Sequence, residues 1–203
     1  AERFARRVDE LSAGKLKIDV FAGGVLVPAL GGFDAVSAGN VECCSSASYY
    51  WAGKCPAAQF FTAQPFGFMV DQISAWLFAG GGLELWNEVY AKSNMVGFPL
   101  MNTGQQMAGW FRKEIKGPED LKGLKFRTAG LGGKAMAKLG VAVQLLPGAE
   151  IVPALEKGAI DAAEWVGPAH DLRLGFPKVA KFYYYPGWAE PCGQTELMIN
   201  KKA

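Results

Sequence analysis

Arg127 closes the run Gly123-Leu124-Lys125-Phe126-Arg127, and Glu164 and Trp165 close the run Gly158-Ala159-Ile160-Asp161-Ala162-Ala163-Glu164-Trp165. Each run is short and mostly apolar, and each ends in a group able to hold an ion. A guanidinium at a strand end can grip a carboxylate through two parallel hydrogen bonds. A carboxylate at the end of a buried strand must be paired, ligate a metal or take up a proton. A second acid, Glu190, follows in the turn Gly187-Trp188-Ala189-Glu190-Pro191. Together with the amide of Gln106, two carboxylates make a hard, all-oxygen set suited to Na⁺ or Ca²⁺. The plain alternatives are a surface arginine and two solvated loop acids.

Other constellations are weaker. Gly130-Leu131-Gly132-Gly133 precedes a helix but lacks the Lys-Ser/Thr ending of a phosphate loop and the dinucleotide spacing. Its glycines suit close approach to a ligand. His170 is the single histidine, and no Ser-His-Asp or Cys-His set assembles around it. Cys43, Cys44, Cys55 and Cys192 fit no zinc spacing and read as buried or idle thiols. A bridge from Cys55 to Cys43 or Cys44 stays open in an oxidising compartment.

Elements must carry these groups to one place. The 203 residues suit one large domain or two small lobes, and half of them are hydrophobic, enough for a sizeable core. Net charge is +2 with basic residues scattered, which argues against nucleic acid. The uncharged run from Lys92 to Arg112 contains too many amides and hydroxyls for a membrane span. The spacing predicts a helix over 2–13 and a strand over 15–21 with Leu16, Ile18 and Val20 on one face. A short helix over 28–38, a buried strand over 41–47 and an aromatic loop region over 48–70 follow. Residues 72–92 read as helix broken at Gly80-Gly81-Gly82, and 96–111 as one or two extended strands. After Gly117 short helices and strands alternate: helices over 118–122, 132–139 and 151–157, and strands over 124–128, 141–146, 159–165, 181–185 and 194–200. Gly123, Gly140 and Gly158 sit where helix C-caps belong, and Pro118 and Pro153 at first turns. Two αβ units thus aim a cation and a carboxylate out of strand ends, where open α/β sheets hold ligands. The chain opens in a helix on Ala1 and stops just after a strand, so it reads as a fragment whose lack of a signal peptide says nothing of location.

Several motifs belong together: Tyr49-Tyr50-Trp51-Ala52-Gly53-Lys54, Asn102-Thr103-Gly104-Gln105-Gln106-Met107, Gly109-Trp110-Phe111-Arg112-Lys113, Pro118 to Arg127, Leu145-Leu146-Pro147-Gly148 and Glu164-Trp165-Val166-Gly167-Pro168. As a set they resemble the extracytoplasmic solute-binding proteins of TRAP transporters, the dicarboxylate-type DctP family. The resemblance covers essentially the whole chain and is nearest to the branch that binds 2-oxo acids such as pyruvate with sodium. It implies a two-lobed α/β fold of the type II periplasmic-binding-protein style, truncated at both termini. The first lobe would span 1–103 without its first strand, and the second 104–203, with 188–203 crossing back toward the first. Hinge chain would lie near Asn102–Gly104 and Pro191–Gln194.

By the same resemblance Arg127 grips the substrate carboxylate, with Gln106, Tyr49 (or its neighbour Tyr50) and Trp165 also facing substrate. Glu164, Glu190, Gln106 and the backbone carbonyl of Trp165 hold the metal. Counting Arg127, Glu164, Glu190 and a monocarboxylate leaves a charge of −2, which leans to calcium. The motif match leans to sodium and is preferred, because backbone dipoles can offset one charge. The implied partners are a small carboxylate and the TRAP membrane subunits, with a periplasmic location and a homodimer compatible with the full-length protein. A lactate–calcium receptor of the same family and a metal-dependent enzyme acting on a 2-oxo acid are the alternatives. The enzyme reading lacks a base outside the proposed ligands. One departure from the branch is Glu42-Cys43-Cys44-Ser45, more polar and cysteine-rich than usual, next to Tyr49.

Overall fold

The computed structural model describes residues 1–203 and has two lobes, each built on its own β-sheet. In chain order the helices are α1 (Glu2–Leu11), α2 (Gly32–Ala38), α3 (Val70–Ala79), α4 (Gly82–Ala91), α5 (Gly130–Lys138), α6 (Gly148–Glu156), α7 (Pro168–Leu174) and α8 (Phe176–Val179). The strands are β1 (Cys43–Ser46), β2 (Met95–Asn102), β3 (Gly109–Phe111), β4 (Lys125–Arg127), β5 (Ala142–Gln144), β6 (Ala162–Ala163), β7 (Phe182–Tyr184) and β8 (Gln194–Asn200). The aromatic region predicted as loop winds into two 3₁₀ turns, Ser48–Trp51 and Pro56–Phe61.

One sheet has the order β1-β8-β2, with β8 antiparallel to both neighbours. The other runs β5-β4-β6-β3-β7, where β4 is parallel to β5 and β6, and β3 is antiparallel to β6 and β7. Because successive strand residues face opposite sides, Trp110 and Phe111 anchor separate cores on the two faces of this second sheet. Trp110 packs with Ile151, Leu155, Ile160 and Phe176 under α6 and α8, and Phe111 with Phe126, Met136 and Val141 under α5. The first lobe is centred on Trp51, Phe61, Trp86, Tyr90 and Met198.

Two segments cross between the sheets and are tied together. Thr103 N–H donates to the Gly193 carbonyl at 2.9 Å, Gly193 N–H donates to Thr103 Oγ1 at 2.9 Å, and Asn102 Nδ2 donates to Gln194 Oε1 at 3.2 Å.

Some expectations fail for identifiable reasons. Residues 15–21 form no strand: no other segment lies alongside to take their ladder hydrogen bonds, and Leu16 and Val20 stay exposed. Pro153 sits inside α6 rather than in its first turn, because the helix starts earlier, after Pro147. The run 159–165 shortens to a two-residue strand, and α7 and α8 were missed as too short to show a period. The strand over 41–47 is half-buried rather than buried. Gly123, Gly140 and Gly158 do take positive φ, at 71°, 86° and 71°. The four cysteines are free thiols, and burial pushes that of Cys44 up to about 11, which leaves it unreactive.

One buried acid belongs to the first core. Glu196, on β8, is fully enclosed; its carboxylate accepts Trp51 Nε1–H at 2.7 Å and Tyr90 O–H at 2.6 Å. Burial outweighs these donors and raises its pKa to about 7. The folded protein therefore keeps a proton that the unfolded chain loses above about pH 4.5. Stability from this group is fully present below that pH and declines as pH rises toward 7. The full difference is about 3 kcal/mol. Urea denaturation at pH 5 and pH 8 should show this decline in the native sequence and a flatter profile in Glu196→Gln. Equal pH slopes in the two proteins would contradict the assignment.

Candidate functional site

The register of the second sheet makes the site. In the parallel ladder Arg127 on β4 pairs with Ala163 on β6, so the next residue, Glu164, leaves the sheet beside it. Glu164 N–H then donates to the Arg127 carbonyl at 2.9 Å. The Arg127 side chain is 1 % exposed and that of Glu164 2 %, with Nη1 and Oε2 3.7 Å apart.

Most of the guanidinium's bonds go to neutral oxygens. Nη1 donates to the Glu164 backbone carbonyl at 2.8 Å, Nε to the Leu146 carbonyl at 3.2 Å and Nη2 to the Tyr50 hydroxyl at 3.0 Å. Its Cζ lies 5.1 Å from the centroid of the Trp165 ring, a cation–π contact. Tyr50 belongs to the first lobe, so the Nη2 bond spans the cleft. Tyr49 and Tyr50 sit edge to face, with centroids 4.7 Å apart. Sequence reasoning named Tyr49 first; Tyr50 is the tyrosine that touches Arg127, and Tyr49 faces Glu190.

Glu190 and Gln106 come from the two crossing segments and are both buried. A Cβ placed on Gly193 would lie 2.5 Å from Gln106 Nε2 and 3.4 Å from Glu190 Oε2, so both side chains close on this one glycine. Gln106 Nε2 donates to Thr103 Oγ1 at 3.0 Å, leaving its Oε1 free. Arg127, Glu164, Trp165, Glu190, Gln106 and Tyr49 therefore converge between the lobes.

The electrostatics are unbalanced. Both oxygens of Glu164, both of Glu190 and Oε1 of Gln106 are buried without a hydrogen-bond donor. Burial, then the charge of Glu190, push Glu164 well above the usual carboxylate range, and Arg127 opposes the rise only in part. Burial likewise lifts Glu190 to about 7; Arg127, Gln106 and Tyr49 temper the rise, although neither Gln106 nor Tyr49 makes a hydrogen bond of good geometry to it. A cation fits this donor set. Five buried oxygens from three residues lack a donor, all hard donors of the kind that hold sodium or calcium. No cluster of three acidic, histidine or cysteine side chains exists in the chain. A cation here would therefore complete its shell with neutral oxygens such as Gln106 Oε1 and a backbone carbonyl.

Sequence reasoning missed the supports. Asp171, 1 % exposed on α7, accepts Trp110 Nε1–H at 2.9 Å, Tyr183 O–H at 3.1 Å and Val166 N–H at 3.3 Å. It thereby ties down the turn that carries Glu164 and Trp165. The only signal was an Asp in the first turn after Gly167-Pro168. The Leu146 carbonyl carried no side-chain signal at all.

Residues 1–203 match the family described as bacterial extracellular solute-binding protein, family 7 (DctP). A monocarboxylate 2-oxoacid-binding periplasmic protein of Nostoc sp. is 55 % identical over 203 residues, covering 100 % of this chain and 56 % of the relative. A TRAP periplasmic solute binding protein of Pseudoalteromonas atlantica, solved with sodium and pyruvate, is 47 % identical with a TM-score of 0.96, over 99 % of this chain and 61 % of that one. Its counterpart from Colwellia psychrerythraea, solved with calcium and pyruvate, is 46 % identical with a TM-score of 0.95, over 99 % and 61 %. The chain thus spans somewhat over half the length of these relatives. On the family match along its whole length and this identity, the chain belongs to the bacterial extracellular solute-binding proteins of family 7, the DctP family.

Proposed function

We propose that this protein is the extracytoplasmic, periplasmic receptor of a TRAP-type transporter. It binds a small 2-oxo monocarboxylate, pyruvate or a close analogue, together with a cation, and delivers it to the membrane subunits. The observation that carries this reading is one fully buried arginine set among carboxylate and amide oxygens that have no donor. Such a site asks for a cation and an anion together. Its support is the identity to relatives that hold pyruvate with sodium or with calcium.

In this reading Arg127 holds the substrate carboxylate. Two backbone carbonyls already fix the guanidinium plane, so little orientational freedom is lost on binding. Glu164, Glu190, Gln106 and the Trp165 carbonyl would hold the cation, which supplies positive charge to the substrate oxygens. Trp165 and the Tyr49–Tyr50 pair exclude water, and drying the cleft strengthens each charged contact. The lobes divide at 103–104, with hinge chain at Asn102–Gly104 and Pro191–Gln194, and the ligand favours closure because its contacts come from both sides. Nothing in this set needs a base, so the role is binding rather than turnover.

Isothermal titration with pyruvate tests the anion site. Arg127→Ala should lose roughly 2–5 kcal/mol, as for a buried charge pair deprived of one partner. Arg127→Lys should also lose most of the affinity, since an ammonium has no planar fork. Unchanged affinity in Arg127→Ala would overturn the assignment.

The cation is tested separately. Pyruvate affinity should fall when sodium and calcium are replaced by a bulky organic cation. Glu190→Gln keeps the shape, removes one charge and should weaken that dependence. Full affinity in the organic-cation buffer would sink the cation part of the reading while sparing the rest.

A further inference from the structure

The motif Leu145-Leu146-Pro147-Gly148 has no assigned role beyond the Leu146 carbonyl that receives Arg127 Nε. Its last residue opens α6, and the far edge of the Trp165 indole rests on it. A Cβ built on Gly148 would overlap Cη2 of that ring and fall 2.9 Å from Cζ2 and 3.1 Å from Cζ3. Real Cβ atoms do not come so close, and a fused ring offers no floppy end to swing aside. Gly148 is not among the residues with positive φ, so its backbone would accept any L-residue. The requirement for glycine here is steric, and the indole imposes it.

The same ring has the Arg127 guanidinium over its face at 5.1 Å. That guanidinium cannot retreat, being held by the Leu146 and Glu164 carbonyls and the Tyr50 hydroxyl. Trp165 is also partly packed against the core of Trp110, Ile151 and Leu155 beneath α6. The indole is thus boxed by Gly148 at its edge, Arg127 over its face and this core, and its half-exposed remainder forms cleft wall beside the anion site. We infer that Gly148 is a specificity-determining residue: by letting the Trp165 indole sit back against α6, it sets the room left beside Arg127 for the chain of a 2-oxo acid. The specificity part of this inference rests on the function proposed above; the packing part does not.

The test is a double-mutant cycle of Gly148→Ala with Trp165→Phe. Phenylalanine lacks the outer ring atoms that meet the new methyl group. Calorimetry uses pyruvate, 2-oxobutyrate and a branched 2-oxo acid at saturating sodium and calcium. In the native background Gly148→Ala should weaken pyruvate binding at least about tenfold, the usual scale of an overpacked contact, and the branched acid more than pyruvate. In the Trp165→Phe background the same change should cost less than about twofold. Equal losses in the two backgrounds, or an unchanged ratio between pyruvate and the branched acid, would overturn the inference.

A ligand-free readout separates the two readings. The Trp165 indole N–H resonance, assigned by its loss in Trp165→Phe, should shift in Gly148→Ala while those of Trp51 and Trp110 hold. Should the native protein bind none of these acids, the receptor reading and the specificity role fall, and an unmoved Trp165 resonance would dispose of the packing as well. If Gly148→Ala does not fold, recovery of a folded protein in Gly148→Ala/Trp165→Phe supports the inference, and its absence counts against it.

Discussion

One buried cation faces two buried carboxyl groups, and the rest of the molecule is arranged around that imbalance. Arg127 is enclosed, yet it spends its short hydrogen bonds on backbone carbonyls and a tyrosine hydroxyl, standing 3.7 Å from the nearer Glu164 oxygen. Glu164 and Glu190 are enclosed as well, without donors. Burying an unpaired carboxylate is costly, and the ordinary remedies are a partner, a metal or a proton. Here Arg127 offsets the cost only in part, and burial leaves both carboxyl groups with raised pKa values. A site built this way is poor at being empty and dry. In the receptor role proposed above, the free energy released on filling the site would be available to favour closure of the lobes.

The scaffold accounts for how such residues are gathered. Parallel strands β4 and β6 run in register, so their ends deliver a guanidinium and a carboxylate side by side without a designed loop. The crossing segments deliver Gln106 and Glu190, stitched by the Thr103 and Gly193 hydrogen bonds. The 3₁₀ turn at Ser48–Trp51 brings the tyrosines, and its own anchor is Trp51, bonded to Glu196 on β8 of the same lobe. Each contribution comes from a strand end, a crossing or a short turn. The acids and the arginine therefore have hydrogen-bonded backbone beneath them.

Much of this was legible in the sequence. The alternation of short helices and strands after Gly117 carries its own punctuation, and Arg127 and Glu164 stand out because charge at the end of an apolar run has to be explained. Residues 15–21 show the limit of that reasoning: alternation states which face is apolar but not whether a neighbouring strand exists to complete the ladder. α7 and α8 are too short for a period to register, so Asp171 went unnoticed although it braces the turn beneath Glu164. Gly148 was visible only as part of a motif. Its meaning depends on an indole seventeen positions later, a contact made by the fold and not by local pattern.

The placing of β8 has a consequence for how the chain comes to be folded. β1 and β2 do not touch each other; each pairs only with β8, so residues 43–46 and 95–102 wait for residues 194–200. The second sheet uses only residues 109–184 and closes on nearer contacts. During synthesis its strands leave the ribosome as a complete set while the first sheet still lacks its middle. Loop closure over the longer separation costs more entropy and comes later. The order of assembly therefore inverts the order of these strands: the sheet made second is completed first, and β8, which follows all of them in the chain, is the strand that joins β1 and β2 into one sheet.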